Sequence, residues 1–309
     1  MNPLRVVCLL LLLGFVALYL RSPRNPKLAF TYLRWVLLGS AACLTLAPFL
    51  WLVAAAFKDR DALNEYIFFP PLGAWSEKTL NLGNYRKLFA GDPSIQGTVY
   101  FWQYVINSLF LTSTITVLQT AFCSAAGYAL AKYEFRGKRL LMTFMLGSMM
   151  IPQVLLLAPL YELVVKIGLV DSYLSLILPV LVIPYGIFLF RQAMVSIPNE
   201  MIDAGRIDGC SEFAIYLRLV MPLVRPMCAA FCLVTFLSNW NAFFAPSVFL
   251  HTQDKLTLPV ILNLYLGLYR ADYGVFLAGT LLAIIPPAIL FFALEREFIS
   301  GLTSGAVKG

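Results

Sequence analysis

Six long runs of this chain carry no Asp, Glu, Lys or Arg: Trp35 to Phe57, a stretch within Val99 to Ala131, Leu140 to Tyr161, Ser172 to Phe190, Pro226 to Leu250 and Tyr273 to Leu294. A charge at the centre of a bilayer costs about 3 kcal/mol, and about 20 helical residues cross its hydrocarbon core. The runs therefore predict spans at about 35–57, 104–131, 140–163, 172–190, 226–250 and 273–294. Composition agrees: the chain is 60% hydrophobic and only 13% charged, about half the charge a soluble domain uses to wet its surface. The fold class is all-α, a polytopic membrane protein.

A shorter apolar run, Val6 to Leu20, precedes these. It ends in Leu18-Tyr19-Leu20-Arg21, without a small-residue cleavage site, so residues 1–27 read as an N-terminal hydrophobic extension, an extra helix or anchor, with a signal peptide behind Arg5 as the alternative. Residues 28–309 then form the main transmembrane domain. The net charge of +7 fixes orientation rather than binding nucleic acid, because Lys and Arg collect in cytoplasmic loops. Lys132, Arg136, Lys138 and Arg139 crowd one short loop and place it inside. Residues 191–225 and the tail 295–309 follow on the same side. The segments 58–101, 166–171 and 251–272 fall outside.

Chemistry-bearing residues are scarce. His251 is the only histidine, and Cys8, Cys43, Cys123, Cys210, Cys228 and Cys232 include no C-x-x-C pair, so neither a metal site nor an acid–base centre is expected. No G-x-x-x-x-G-K-[ST] phosphate loop occurs, so ATP, if used, is bound by another chain. Prolines are frequent in the spans: Pro152, Pro159, Pro179, Pro184, Pro286 and Pro287. Each removes a backbone donor and leaves a carbonyl that needs another partner.

The segment 191–225 is too long for a turn. Ile197 precedes Pro198, which ends the fourth span near Ser196. Pro198 and Glu200 open a short helix, Asp208-Gly209 stops it, and Ser211 caps a second helix with Glu212 in its first turn. Asp203 and Arg206 fall on neighbouring positions of the first helix. The result is a compact knob of mixed apolar and charged character, suited to docking on a partner or lying on headgroups.

Asp203-Ala204-Gly205, Gly209 and then Leu219-Val220-Met221-Pro222 resemble the E-A-A-x3-G-x9-I-x-L-P signature of the membrane subunits of binding-protein-dependent ATP-binding-cassette importers. Ser196-Ile197-Pro198 and Arg206-Ile207-Asp208-Gly209 resemble its carbohydrate branch, the smaller maltose-type subunit. Asn84-Tyr85, Leu88-Phe89, Asn107-Ser108-Leu109, Tyr128-Ala129-Leu130-Ala131, Phe135-Arg136-Gly137, Met150-Ile151-Pro152, Gly168-Leu169 and Ile187-Phe188-Leu189 follow in the family's order. Asp203, Gly205 and Met221 are conservative departures from the signature.

The resemblance implies a six-helix type I importer core. It also implies partners: a homologous larger permease, an ATPase dimer, an extracytoplasmic solute-binding protein and the lipid bilayer. The protein would lie in the bacterial cytoplasmic (inner) membrane, with the coupling loop and C-terminus inside. Asp203, Ala204, Gly205, Arg206, Asp208, Gly209, Glu212, Leu219, Met221 and Pro222 would form that loop against the ATPase. Gly301, Leu302, Thr303, Gly305, Val307, Lys308 and Gly309 resemble the family tail that reaches between the ATPase subunits. Asn239, Trp240 and Asn241 are substrate-path candidates, since amides beside an aromatic face suit a sugar ring, with packing between helices as the equal alternative. Ala242 stands where the family often has Glu, which weakens that carry-over. The implied function is import of a sugar or oligosaccharide. A polyol, glycerol-phosphate-like or peptide permease is the alternative, and a membrane transferase the distant one.

Overall fold

The computed structural model describes residues 19, 27–76, 79–95, 97–267 and 272–306, with side chains as far as 297. The N-terminal extension lies almost entirely outside the described residues, as do Val307, Lys308 and Gly309. The chain divides into two units, Met1–Asn84 and Tyr85–Gly309.

In the first unit, helix α1 (Lys27–Ala56) is long and apolar enough to span a bilayer, and its most apolar stretch buries nothing. It begins well before the expected Trp35, because Lys27, Leu28 and Ala29 keep good helix propensity up to Pro26. Its last carbonyl and one just past its end are met from a distance: Asn84 Nδ2 donates to Ala56 O (3.1 Å) and Lys58 O (2.9 Å). The Lys58 ammonium is buried against Tyr66 O at 2.6 Å, and burial lowers its pKa.

The second unit is built around α2 (Phe101–Lys132). A small antiparallel hairpin, β1 (Asp92–Ser94) and β2 (Gly97–Val99), precedes it. After the short loop at Gly137 come α3 (Lys138–Ser148) and α4 (Leu157–Lys166), then α5 (Pro184–Val195), α6 (Asn199–Ile207), α7 (Arg225–Trp240), α8 (Leu258–Tyr265), α9 (Tyr273–Ala283) and α10 (Ile285–Ala306). By length and composition the described helices supply three spans, or six if each bent pair is one span.

The breaks follow the prolines, but unequally. The run expected as one span at 140–163 is interrupted at Met149–Pro152 and bends by 94°. The run expected at 172–190 breaks before Pro184, bends by 44° and continues to Val195. The span expected at 226–250 ends at Trp240; a separate short helix, Phe244–Phe249, follows because Pro246 cannot donate back to Ala242. The last span stays a single unit to Glu297, and its backbone remains helical through Ala306, so the described part of the tail is a helical extension.

The freed carbonyls are met from other helices. Pro184 leaves Val180 O without its helical donor, and Gln119 Nε2 of α2 donates to it. Pro287 does the same to Ala283 O, and Trp240 Nε1 of α7 donates there at 3.1 Å. Each replaces a hydrogen bond whose loss in hydrocarbon would cost several kcal/mol. Packing between α2 and α5 is close enough that a Cβ on Gly127 would stand 2.6 Å from Phe190 Cβ, so glycine is required there.

Candidate functional site

The expected elbow forms, and its geometry explains each punctuation mark. Helix α6 begins after Pro198 and ends at Asp208. Gly209 adopts φ +79°, a conformation that side chains with a Cβ resist. Cys210 N donates to Gly205 O and Gly209 N to Arg206 O, both at 3.0 Å, which closes the helix in a Schellman motif. Ser211 Oγ then accepts from Ala214 N at 3.3 Å, capping the next turn. The second helix is not a regular α-helix: after Glu212–Ala214 it passes through a π-helical turn, Ile215–Val220, and then bends by 82° into α7. Pro222, lacking an N–H, accounts for part of that irregularity.

The elbow is rooted in the bundle. Ile202, Ile215, Tyr216 and Val220 share one buried cluster with Phe190, Met194 and Phe231. Tyr216 Oη lies 2.7 Å from Ser124 Oγ of α2, and Lys132 Nζ donates to Ile197 O and to Asn199 Oδ1. A methyl at Gly205 would lie 3.3 Å from Ile215 Cγ1, so glycine in place of the family's alanine gives Ile215 its room. At the tip the opposite holds: Ile207 is 86% and Phe213 69% exposed.

Of the loop residues expected to face the ATPase, the charged Asp203, Arg206 and Glu212 pair with one another. Arg206 Nη1 reaches Asp203 Oδ1 at 2.8 Å, and its Nε reaches Glu212 Oε1 at 2.7 Å. Tyr133 Oη donates to the other oxygen of Glu212. The Arg206 guanidinium, followed by that phenol, holds the Glu212 carboxyl below its ordinary value, and the two carboxylates raise Arg206 in turn. Leu219 and Met221 lie in the partly buried shell of the cluster. Arg225 and Glu297 pair at 2.9 Å, joining the base of α7 to the last helix.

The substrate-path candidates fare differently. Asn239 and Asn241 donate to carbonyls one turn back in their own helix, Thr235 O and Leu237 O. Trp240 is buried, stacked on Phe236 at 5.7 Å and bonded to Ala283 O. In this conformation the indole holds two helices together and offers no open face.

Sequence reasoning missed a second polar cluster. Asp171, at φ +56°, accepts from His251 N (2.9 Å), Thr252 N (3.0 Å), Thr252 Oγ1 and Lys255 Nζ (2.9 Å). Burial alone would push its carboxyl up; the donors from Thr252, Lys255 and His251 outweigh that and hold it well below the usual carboxylate range. Asn107 Nδ2 ties the same loop to α2 through Asp254 O and Leu256 O. The only local hint was an acidic residue stranded between two apolar runs. No group of three or more possible metal ligands occurs among the described residues.

Residues 123–296 match the family described as binding-protein-dependent transport system inner membrane component. The chain belongs to this family. The permease is 38% identical to the arabinooligosaccharides transport system permease protein AraQ of Halalkalibacterium halodurans, over 90% of this chain and 97% of that one. It is 33% identical to the galactooligosaccharides transport system permease protein GanQ of Bacillus subtilis, over 93% and 97%. Its fold resembles a bacterial ABC transporter involved in the import of the acidic polysaccharide alginate. That similarity has a TM-score of 0.74 and 22% identity, and covers 89% of this chain and 98% of that one. The permease is thus a transport subunit of the inner membrane.

Proposed function

We propose that this permease passes a sugar or oligosaccharide across the inner membrane, received from an extracytoplasmic binding protein and driven by a separate ATPase seated on the Gly209 elbow. The names of its oligosaccharide-transporting relatives support the substrate class. One observation carries the coupling: the elbow exposes Ile207 and Phe213 at its tip while its base shares a buried core with α5 and α7. Close-packed cores pass displacement on rather than absorbing it. The Asp203–Arg206–Glu212 triad shapes the knob, and the apolar tip makes the contact. ATP shifts the inward–outward equilibrium only through contacts that differ between the two states.

The test uses the complex reconstituted with its ATPase and binding protein. Gly209→Val should abolish substrate-stimulated ATP hydrolysis while the permease stays in the membrane; unchanged stimulation refutes the coupling role. A panel of pentose and hexose oligosaccharides, polyols, glycerol phosphate and peptides should stimulate hydrolysis through an oligosaccharide. Stimulation by a peptide or polyol alone would replace the substrate assignment.

A further inference from the structure

The function above leaves Phe135-Arg136-Gly137 unused. These residues form the short loop between α2 and α3, and Gly137 starts α3 with no side-chain cap. Beside them lies an open cleft of about 800 Å³ whose lining includes Glu134, Phe135, Gly137, Lys138 and Arg139. A second cavity of about 390 Å³ continues along α3, lined by Leu140, Thr143, Phe144, Gly147, Ser148 and Ile151. The two share Leu140 and Thr143, so a charged mouth leads into an apolar groove on one face of the helix.

The charges at the mouth are unequally engaged. Lys138 Nζ is taken up by Glu134 Oε1 at 2.7 Å and Tyr133 O at 2.9 Å, which also neutralises the one carboxylate of the cleft. Arg139 lines the cleft, and Arg136 sits in the chain between the lining residues Phe135 and Gly137; both are exposed and neither has an acidic partner among the described residues. Guanidinium groups recognise phosphate oxygens in pairs, and each basic side chain at a membrane surface favours anionic lipid severalfold. No residue of α3 is buried. From Leu140 to Ser148 the helix rises about 12 Å, most of the roughly 15 Å depth of one leaflet. A soluble phosphate would leave that groove empty.

We propose that this notch binds an anionic phospholipid, with its phosphate against Arg136 and Arg139 and an acyl chain along Leu140, Phe144 and Ile151. The proposal rests on α3 lying in the membrane and not on the identity of the transported solute. Phe144 is 71% exposed, so Phe144→p-benzoylphenylalanine places a photo-crosslinker on the groove. The variant is assembled in the full complex, in nanodiscs with equal phosphatidylglycerol and phosphatidylcholine, and its adducts are weighed. Phosphatidylglycerol adducts should exceed phosphatidylcholine adducts about fivefold, and R136Q combined with R139Q should bring the ratio near one. If that double variant fails to assemble, raising salt to about 1 M on the parent should lower the ratio by screening. Parity in the parent at low salt, an adduct to a polypeptide, or no lipid adduct would each overturn the site.

Discussion

The elbow at Gly209 and the knot at Asp171 sit near opposite ends of α2, and both satisfy carboxylates with a cation and hydroxyl donors. They differ in reach. Asp203, Arg206 and Glu212 lie within ten positions of one another, each pair is about half exposed, and the chain closes the loop with local turns. Asp171 draws its donors from residues about 80 positions away, and its side chain is only 22% exposed. The first arrangement shapes one segment. The second ties two loops that no local signal brings together, and it holds a non-glycine residue at φ +56°, a strain of about 1 kcal/mol. Local polar clusters therefore set form, while distant ones carry stability.

The largest effect should come from Asp171→Ala. Several donors would be left unpaired, a loss of about 2–3 kcal/mol, read as a fall of several degrees in the thermal midpoint of the purified complex. An unchanged midpoint would erase the contrast with the elbow.

The same knot should respond to acid. A carboxyl held below its unfolded value of about 3.9 contributes stability above that pH and loses it as pH falls through the folded value. Stability should thus decline below about pH 4, and Asp171→Asn should flatten that part of the profile. A parallel decline in both proteins would assign the acid sensitivity elsewhere.

Trp240→Phe keeps the ring against Phe236 but removes the donor to Ala283 O, and should cost about 1–2 kcal/mol. Transport lost without any change in thermal midpoint would instead place Trp240 in the solute path.

The smallest thermal effect belongs to Arg206→Gln. Exposed ion pairs contribute little, so the midpoint should stay within error while substrate-stimulated ATP hydrolysis falls. A large thermal shift would make the elbow as structural as the knot.

These contrasts parallel what could be read from the residues alone. Pro198, Gly209 and Ser211 announced the elbow because caps and turns act over a few positions. Its π-helical turn and its 82° bend escaped, since they answer to packing of Ile215, Tyr216 and Val220 on α5 and α7. The prolines were visible, but not which would bend a span by 94° and which would leave the last one whole. Donors from other helices meet freed carbonyls in both cases, Gln119 in a span that still bends by 44° and Trp240 in the one that stays whole. Trp240 read equally as a sugar platform or as packing between helices, and its bond to Ala283 O became visible only once the helices had met.

Charge-free length dictated that this chain lives in lipid, and short-range capping dictated that an elbow interrupts it, because desolvation cost and turn stereochemistry act on each segment in isolation. Which carbonyl finds which donor, how sharply each span breaks, and where Asp171 finds its cation were decided only when the helices met. Those energies belong to pairs of residues far apart in the chain, and nothing shorter than the assembled bundle contains them.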